Sequence, residues 1–215
     1  MILEHLTVGV LQTNCYLLGD EKSGQAMLID PGGEGERLSD RVRDRGLTLT
    51  AILNTHAHFD HILAAWTVKA RMGGEIYLHP KDQANFLQVI FGLASRFAPE
   101  IRPVSPAQID RKLAEGDELL LGDIRIAVIE TPGHSPGHVS FYLKDQGMIF
   151  SGDTIFAGSI GRTDFPGGSR EQLLASVRTK IFPLPDGTAI FPGHGPRTSV
   201  GSEKRNNPFF LHNRR

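Results

Sequence analysis

The chain has 215 residues, 40% of them apolar and 22% charged, which suits one compact domain with a sizeable core. Lysine and arginine total 23 against 24 aspartates and glutamates, so a formal net charge of −1 gives no field that would gather nucleic acid or an anionic membrane. A single cysteine, Cys15, excludes an intrachain disulfide and a multi-cysteine metal site, which leaves histidine and carboxylate chemistry.

The N-terminal stretch MILEHLTVGVLQTNCYLL lacks the basic, apolar and small-residue succession of a signal peptide, and no apolar run reaches membrane-spanning length. The expectation is a soluble, cytoplasmic protein with no membrane partner. ILEHLTVGVL, NCYLLGD and QAMLID read as three strands, with a hairpin-like turn over 19–24. Charged residues 36–45, with Leu38 and Val42 four apart, predict a short surface helix before the strand AILNT at 51–55. Helical spacing of Ile62, Ala65, Trp66, Lys69 and Ala70 predicts a second helix, GGEIYLHP a strand, and 81–95 a further helix. Residues 96–115 read as Pro-rich and irregular. Two groups of short strands follow, GDELLLGDIRIAVIET and GHVSFYLKDQGMIFSGD, then a helix over 170–181 and a strand over 188–191. Strand blocks alternating with helices, without repeat or linker, predict one α/β domain over 1–215 whose strand-end loops collect a site.

Those strand ends carry the chemistry. T-H-A-H-F-D-H at 55–61 places three histidines and an aspartate in one tight strand-to-helix loop, where His56 and His58 can face one metal while Asp60 and His61 reach a neighbour. Imidazole with carboxylate suits zinc and is compatible with iron or manganese. E-T-P-G-H-S-P-G-H at 130–138 supplies His134 as a third histidine, whereas His138, opening the next strand, reads as a packed or supporting residue. MIFSGD ends on Asp153, a carboxylate suited to bridging two cations, and AIFPGHG ends on His194, a terminal ligand for the second. Ser135, Ser151 and Cys15 lack the setting of a nucleophile and read as structural. His5, His79 and His212 fall outside the pattern, and Phe209 and Phe210 read as packing the C-terminal tail onto the domain, with a substrate pocket or an oligomer contact the alternatives.

H-A-H-F-D-H, the later G-H, the G-D and the final G-H together resemble the ordered ligand pattern of the metallo-β-lactamase superfamily over 56–194. The resemblance implies a four-layer αββα sandwich. It implies His56, His58 and His134 on one metal, Asp60, His61 and His194 on the other, and Asp153 bridging. L-I-D-P-G-G at 28–33 resembles an early family motif and gives Asp30 a supporting role. Two divalent ions, zinc first, imply hydrolysis by a metal-bound hydroxide, with Asp60 the catalytic carboxylate that orients it and relays its proton.

Within the superfamily, T-N-C-Y-L at 13–17, G-D-T-I-F at 152–156 and G-R-T-D-F-P-G-G at 161–168 resemble the short bacterial hydroxyacylglutathione hydrolases, or glyoxalase II. A small-molecule thioester such as a glutathione conjugate, S-lactoylglutathione being the reference, is then the expected substrate. Full-length members add a C-terminal helical domain whose basic residues hold glutathione; here only residues 195–215 follow His194. Arg162 is the substrate-binding candidate, ahead of Lys204, Arg205, Arg214 and Arg215. The competing resemblance is to persulfide dioxygenases, which implies one iron on His56, His134 and Asp153. No oligomeric state follows from the sequence.

Overall fold

The computed structural model describes residues 1–83 and 109–211, which form two compact units. The first comprises Met1–Leu113 with the hairpin tip Leu121–Ile124; the second comprises Ala114–Leu120 and Arg125 onward.

In the first unit, β1 (Ile2–Val8), β2 (Thr13–Asp20) and β3 (Gln25–Ile29) form an antiparallel meander. β4 (Thr48–Leu53), β5 (Glu75–Leu78) and β6 (Arg111–Lys112) then add in parallel, giving the order β1-β2-β3-β4-β5-β6. The parallel pairs need crossovers, and helices supply those from β3 to β4 and from β4 to β5. α1 (Gly35–Asp44) links β3 to β4 and buries Leu38 and Val42, the four-residue spacing seen in the sequence. α2 (Phe59–Ile62) and α3 (Ala65–Met72) link β4 to β5. The helix expected from Ile62 onward is therefore two helices, broken at Leu63–Ala64, where Ala64 N–H donates to Pro31 O at 2.9 Å. Leu28, Leu38, Val42, Ile52, Val68 and Ile76 share the core.

The second unit holds β7 (Glu118–Leu121), β8 (Ile124–Glu130), β9 (Val139–Leu143), β10 (Met148–Gly152), β13 (Ala189–Pro192) and β14 (Thr198–Ser199). They run in the order β14-β13-β10-β9-β8-β7, with β10 and β13 parallel. β11 (Ile155–Phe156) and β12 (Ser159–Ile160) form a small separate hairpin. α4 (Arg170–Ser176) is capped by Ser169, whose hydroxyl accepts from Gln172 N–H at 3.3 Å. The helix expected over 170–181 widens after Ser176 into a π-helical turn, Val177–Ile181, with Phe182 N–H reaching Val177 O. α5 (Val200–Asn206) and α6 (Pro208–Leu211) close the unit. Phe210 is buried edge-on against Phe182, ring centroids 4.8 Å apart, so the tail packs as the sequence suggests.

The helix expected over 81–95 lies mostly outside the described residues, as do His212, Arg214 and Arg215; of the stretch 96–115, residues 109–115 are described and include β6. Among the described residues, no helix is long and apolar enough to cross a membrane.

Candidate metal centre

In the first unit, β4 ends at Leu53 and the chain turns through 54–58 into α2, so four candidate ligands leave one strand end. The His56 ring lies 4.6 Å from that of His58 and 4.2 Å from that of His61, centroid to centroid. His56 and His61 are fully buried. Asp60 Oδ2 stands 3.5 Å from His61 Nε2 and accepts from the Thr13 hydroxyl at 3.2 Å.

Asp30 underlies this loop. It is buried at the end of β3 with φ of 53°, in the left-handed region that a non-glycine residue seldom enters. Its Oδ1 accepts Thr55 N–H at 2.7 Å; its Oδ2 accepts the Thr55 hydroxyl at 2.7 Å and His61 Nδ1–H at 2.9 Å. Because the Thr55 hydroxyl donates to Asp30, it receives His56 Nδ1–H, 3.0 Å away. Both imidazoles are thereby fixed with the proton on Nδ1 and the lone pair on Nε2. The supporting role expected for Asp30 is thus one of tautomer and orientation.

The second unit presents His134, Asp153 and His194. His134 Nδ1–H donates to the Arg162 carbonyl at 2.8 Å, which again leaves the lone pair on Nε2. Asp153 Oδ2 lies 3.4 Å from His134 Nε2 and 3.8 Å from His194 Nε2. His194 follows β13, whose parallel ladder with β10 continues as Gly193 N–H to Gly152 O at 2.8 Å and so keeps His194 beside Asp153.

These donor sets fit a cation. Two ligand atoms at the usual distances from a tetrahedral metal lie about 3.4 Å apart. At His61–Asp60 and His134–Asp153, a lone-pair nitrogen faces a carboxylate oxygen at that separation, too long for a good hydrogen bond and chemically repulsive unless a positive charge joins the pair. The structure brings His56, His58, Asp60 and His61 together in one unit and His134, Asp153 and His194 in the other.

The Arg162 side chain, the substrate-binding candidate, is paired within the chain. Its guanidinium takes Asp164 in a two-point pair, Nε at 2.8 Å and Nη2 at 2.7 Å, and stacks over Phe165 at 3.7 Å. That hydrogen-bonded pairing raises the Arg162 pKa and lowers that of Asp164 to about 2. The backbone carbonyl of Arg162, rather than its side chain, orients His134. Lys204 and Arg205 instead face Asp186, at 2.7 and 3.6 Å.

Cys15 is buried and its thiol pKa is pushed well up, first by desolvation and then by the Asp30 charge, the opposite of an activated nucleophile. The Ser151 hydroxyl donates to Ile155 O at 3.1 Å, a structural bond. His5 Nε2 meets Asn14 Oδ1 at 2.6 Å, and His79 Nδ1 accepts from Lys81 N–H at 3.2 Å. Several supporting residues carry no signal in the sequence. Asp82, buried, accepts Ala57 N–H through Oδ2 at 3.0 Å and steadies the loop between His56 and His58. Nothing in its local sequence marks it.

The model of the metallo-β-lactamase superfamily matches residues 8–194, through both units, and the chain belongs to that superfamily. Among curated proteins it is 42% identical over 205 residues to the probable metallo-hydrolase YqgX of Bacillus subtilis, covering 95% of each chain. It is 40% identical over 210 residues to the hydroxyacylglutathione hydrolase GloC of Haemophilus influenzae, covering 97% of this chain and 98% of that one. The BLEG-1 B3 metallo-β-lactamase superposes with a TM-score of 0.88 at 40% identity over 98% of this chain and 100% of that one. TTHA1623 in a di-iron-bound form gives 0.84 at 41% over 96% and 99%. ETHE1 from Myxococcus xanthus gives 0.79 at 32% over 99% and 89%. The α/β class and metallo-β-lactamase fold expected from the sequence are those of these neighbours, and the superfamily is one of metal-dependent hydrolases.

Proposed function

We propose that the chain is a binuclear metal-dependent hydrolase of hydroxyacyl thioesters, acting on S-lactoylglutathione or a close analogue, and that residues 1–215 form a single domain serving one centre. In this reading His56, His58 and His134 would hold one ion, Asp60, His61 and His194 the other, and Asp153 would bridge them. Zinc is the proposed metal, with iron or manganese the alternatives. The observation that carries the reading is the pairing of the Nδ1-anchored imidazoles of His61 and His134 with carboxylates at 3.5 and 3.4 Å, a cation-binding arrangement built in each unit.

Two divalent ions, when bound, supply the Lewis acidity that lowers the pKa of a coordinated water and polarises a substrate carbonyl. The residues do the rest. Asp60, its carboxylate turned by the Thr13 hydroxyl, receives the proton of the attacking water. Water oxygen adds to the thioester carbon, the C–S bond breaks, and the proton passes to the departing thiolate, giving a carboxylic acid and a thiol. Asp30 and Thr55 keep His56 and His61 from turning during this sequence. Arg162 is proposed as the substrate-carboxylate contact, one that requires exchange with Asp164. The substrate class rests on the likeness to GloC along the whole chain.

The test combines elemental analysis of protein purified without added metal with assays of S-lactoylglutathione hydrolysis and of oxygen uptake with glutathione persulfide. About two ions per chain with thioester cleavage that disappears in Asp60→Ala is the expected result. A second reading, the mononuclear iron persulfide dioxygenase, is favoured by the likeness to ETHE1. One iron with oxygen uptake and no thioester cleavage would replace the first reading with the second.

A further inference from the structure

His138 is fully buried in the second unit and serves none of the roles above. Its Nε2 accepts the main-chain N–H of Asp153 at 3.0 Å. A nitrogen that accepts carries no proton, so the imidazole is neutral with its hydrogen on Nδ1. Nδ1 lies 3.0 Å from Thr131 Oγ1 and 3.2 Å from Thr154 Oγ1. The Thr154 hydroxyl donates to Thr131 Oγ1 at 3.0 Å, and Thr131 Oγ1 lies 2.9 Å from Ser140 Oγ. One hydroxyl has one proton and two lone pairs. Thr131 Oγ1 therefore receives from His138 and Thr154 and donates to Ser140, and the buried chain runs in a single sense.

The strand register shows why a side chain is used here. In the antiparallel β9–β10 pair Phe150 stands opposite Phe141, and continuing that register sets Asp153 opposite His138. The β9–β10 ladder ends at the Phe150–Phe141 pair and the strand itself at Gly152, where φ of 46° and the Thr154 N–H to Ser151 O bond turn the chain out of the sheet. At that turn the Asp153 amide has left its strand partner. The imidazole takes the place of a main-chain carbonyl as acceptor.

We infer that His138 is the positioning residue of Asp153: it holds the turn from which the carboxylate reaches His134 and His194, and with its Nε2 lone pair engaged and Nδ1 protonated it is not itself a ligand. This deepens the proposed metal centre and rests on it, although its test needs no substrate.

The experiment uses the full chain with Co(II) as the probe metal, reading chelator competition and the visible d–d spectrum, with circular dichroism as the check on folding. His138→Leu is expected to weaken metal retention about 10–100-fold and to alter the d–d bands while the fold persists. His138→Gln, whose amide oxygen can accept from Asp153 N–H, is expected to restore most of both. Thr131→Val, which removes the anchor of Nδ1 and keeps the shape, is expected to give a smaller loss in the same direction and carries the test should His138→Leu fail to fold. Folded His138→Leu or Thr131→Val with the parent's affinity and spectrum would overturn the inference. Loss of thioesterase activity in the parent protein would bear on the proposed substrate and leave this result standing.

Discussion

The Asp30 carboxylate and the His61 ring meet at 2.9 Å, Oδ2 to Nδ1, through a bond that joins the end of β3 to the helix after β4. The same carboxylate also takes both polar hydrogens of Thr55, and Asp30 holds φ of 53° to do so. Asparagine tolerates that backbone but offers one acceptor oxygen where aspartate has two. Asp30→Asn is therefore expected to fold, to misdirect His61 or Thr55, and to bind metal about 10–100-fold more weakly in a chelator titration. Parent-like affinity would show that the carboxylate does not orient the ligands.

Two glycines keep the candidate ligand loops where they are. A Cβ on Gly32 would fall 1.4 Å from Asp60 O, and one on Gly161 would fall 1.9 Å from Asp153 O and 3.2 Å from His134 Nδ1. Both obstacles are backbone or an anchored ring, so the ligand loop itself must shift. Gly32→Ala and Gly161→Ala are each expected to cost about 1–3 kcal/mol in urea unfolding and to lower metal content in elemental analysis. Unchanged stability in both would mean that the loops relax freely around the added carbon.

The candidate ligand loops stand out in the sequence because metal chemistry restricts both residue type and position: T-H-A-H-F-D-H crowds three histidines and an aspartate into one loop, and His134, Asp153 and His194 each follow a readable strand. The supports were not legible. Asp82 reaches Ala57 across 25 residues, the Arg162 carbonyl reaches His134 across 28, and Glu203 reaches Gly158 across 45. Each is a bond between a side chain and the main chain, whose partner carries no residue-type signal. Arg162 shows the difference: its side chain, paired with Asp164, carries a residue-type signal, whereas the carbonyl that bonds His134 carries none. Local periodicity likewise missed the break at Leu63–Ala64, which depends on a bond to Pro31.

The Arg162–Asp164 pair gives a pH expectation with a definite sign. Asp164 titrates at about 2, lowered chiefly by its hydrogen bonds from Arg162, so the pair is formed above the ordinary aspartate range and is lost only as pH falls towards 2. Between pH 5 and 9 it contributes no titration, and a bend in the KM profile there has another origin. Asp164→Asn releases the guanidinium, and the expected result is a few-fold lower KM for a carboxylate-bearing thioester, diminishing as salt rises, with kcat unchanged. A neutral thioester should show no difference. Equal KM changes for both substrates would remove Arg162 from the recognition of charge.

Glu203 links the C-terminal helix to the loop that supports His134. Buried in α5, it accepts Gly158 N–H at 2.9 Å and Asn207 Nδ2–H at 2.8 Å through Oε2, and the Thr198 hydroxyl at 2.6 Å through Oε1. Asn207 Nδ2 also donates to Ser159 O at 3.0 Å, so two tail side chains grip the β11–β12 hairpin, and Gly161 and Arg162 follow directly from that hairpin. Glu203→Ala removes the acceptor from buried Asn207, half-buried Thr198 and exposed Gly158, at a cost of about 1–3 kcal/mol for a donor that water cannot reach. Lower stability in urea is one expected outcome. The other is faster amide hydrogen exchange at Gly158 and in the loop through Arg162, because the hairpin has lost its brace. Reduced stability with parent-like exchange in that loop would confine Glu203 to packing of the tail and break the link to His134.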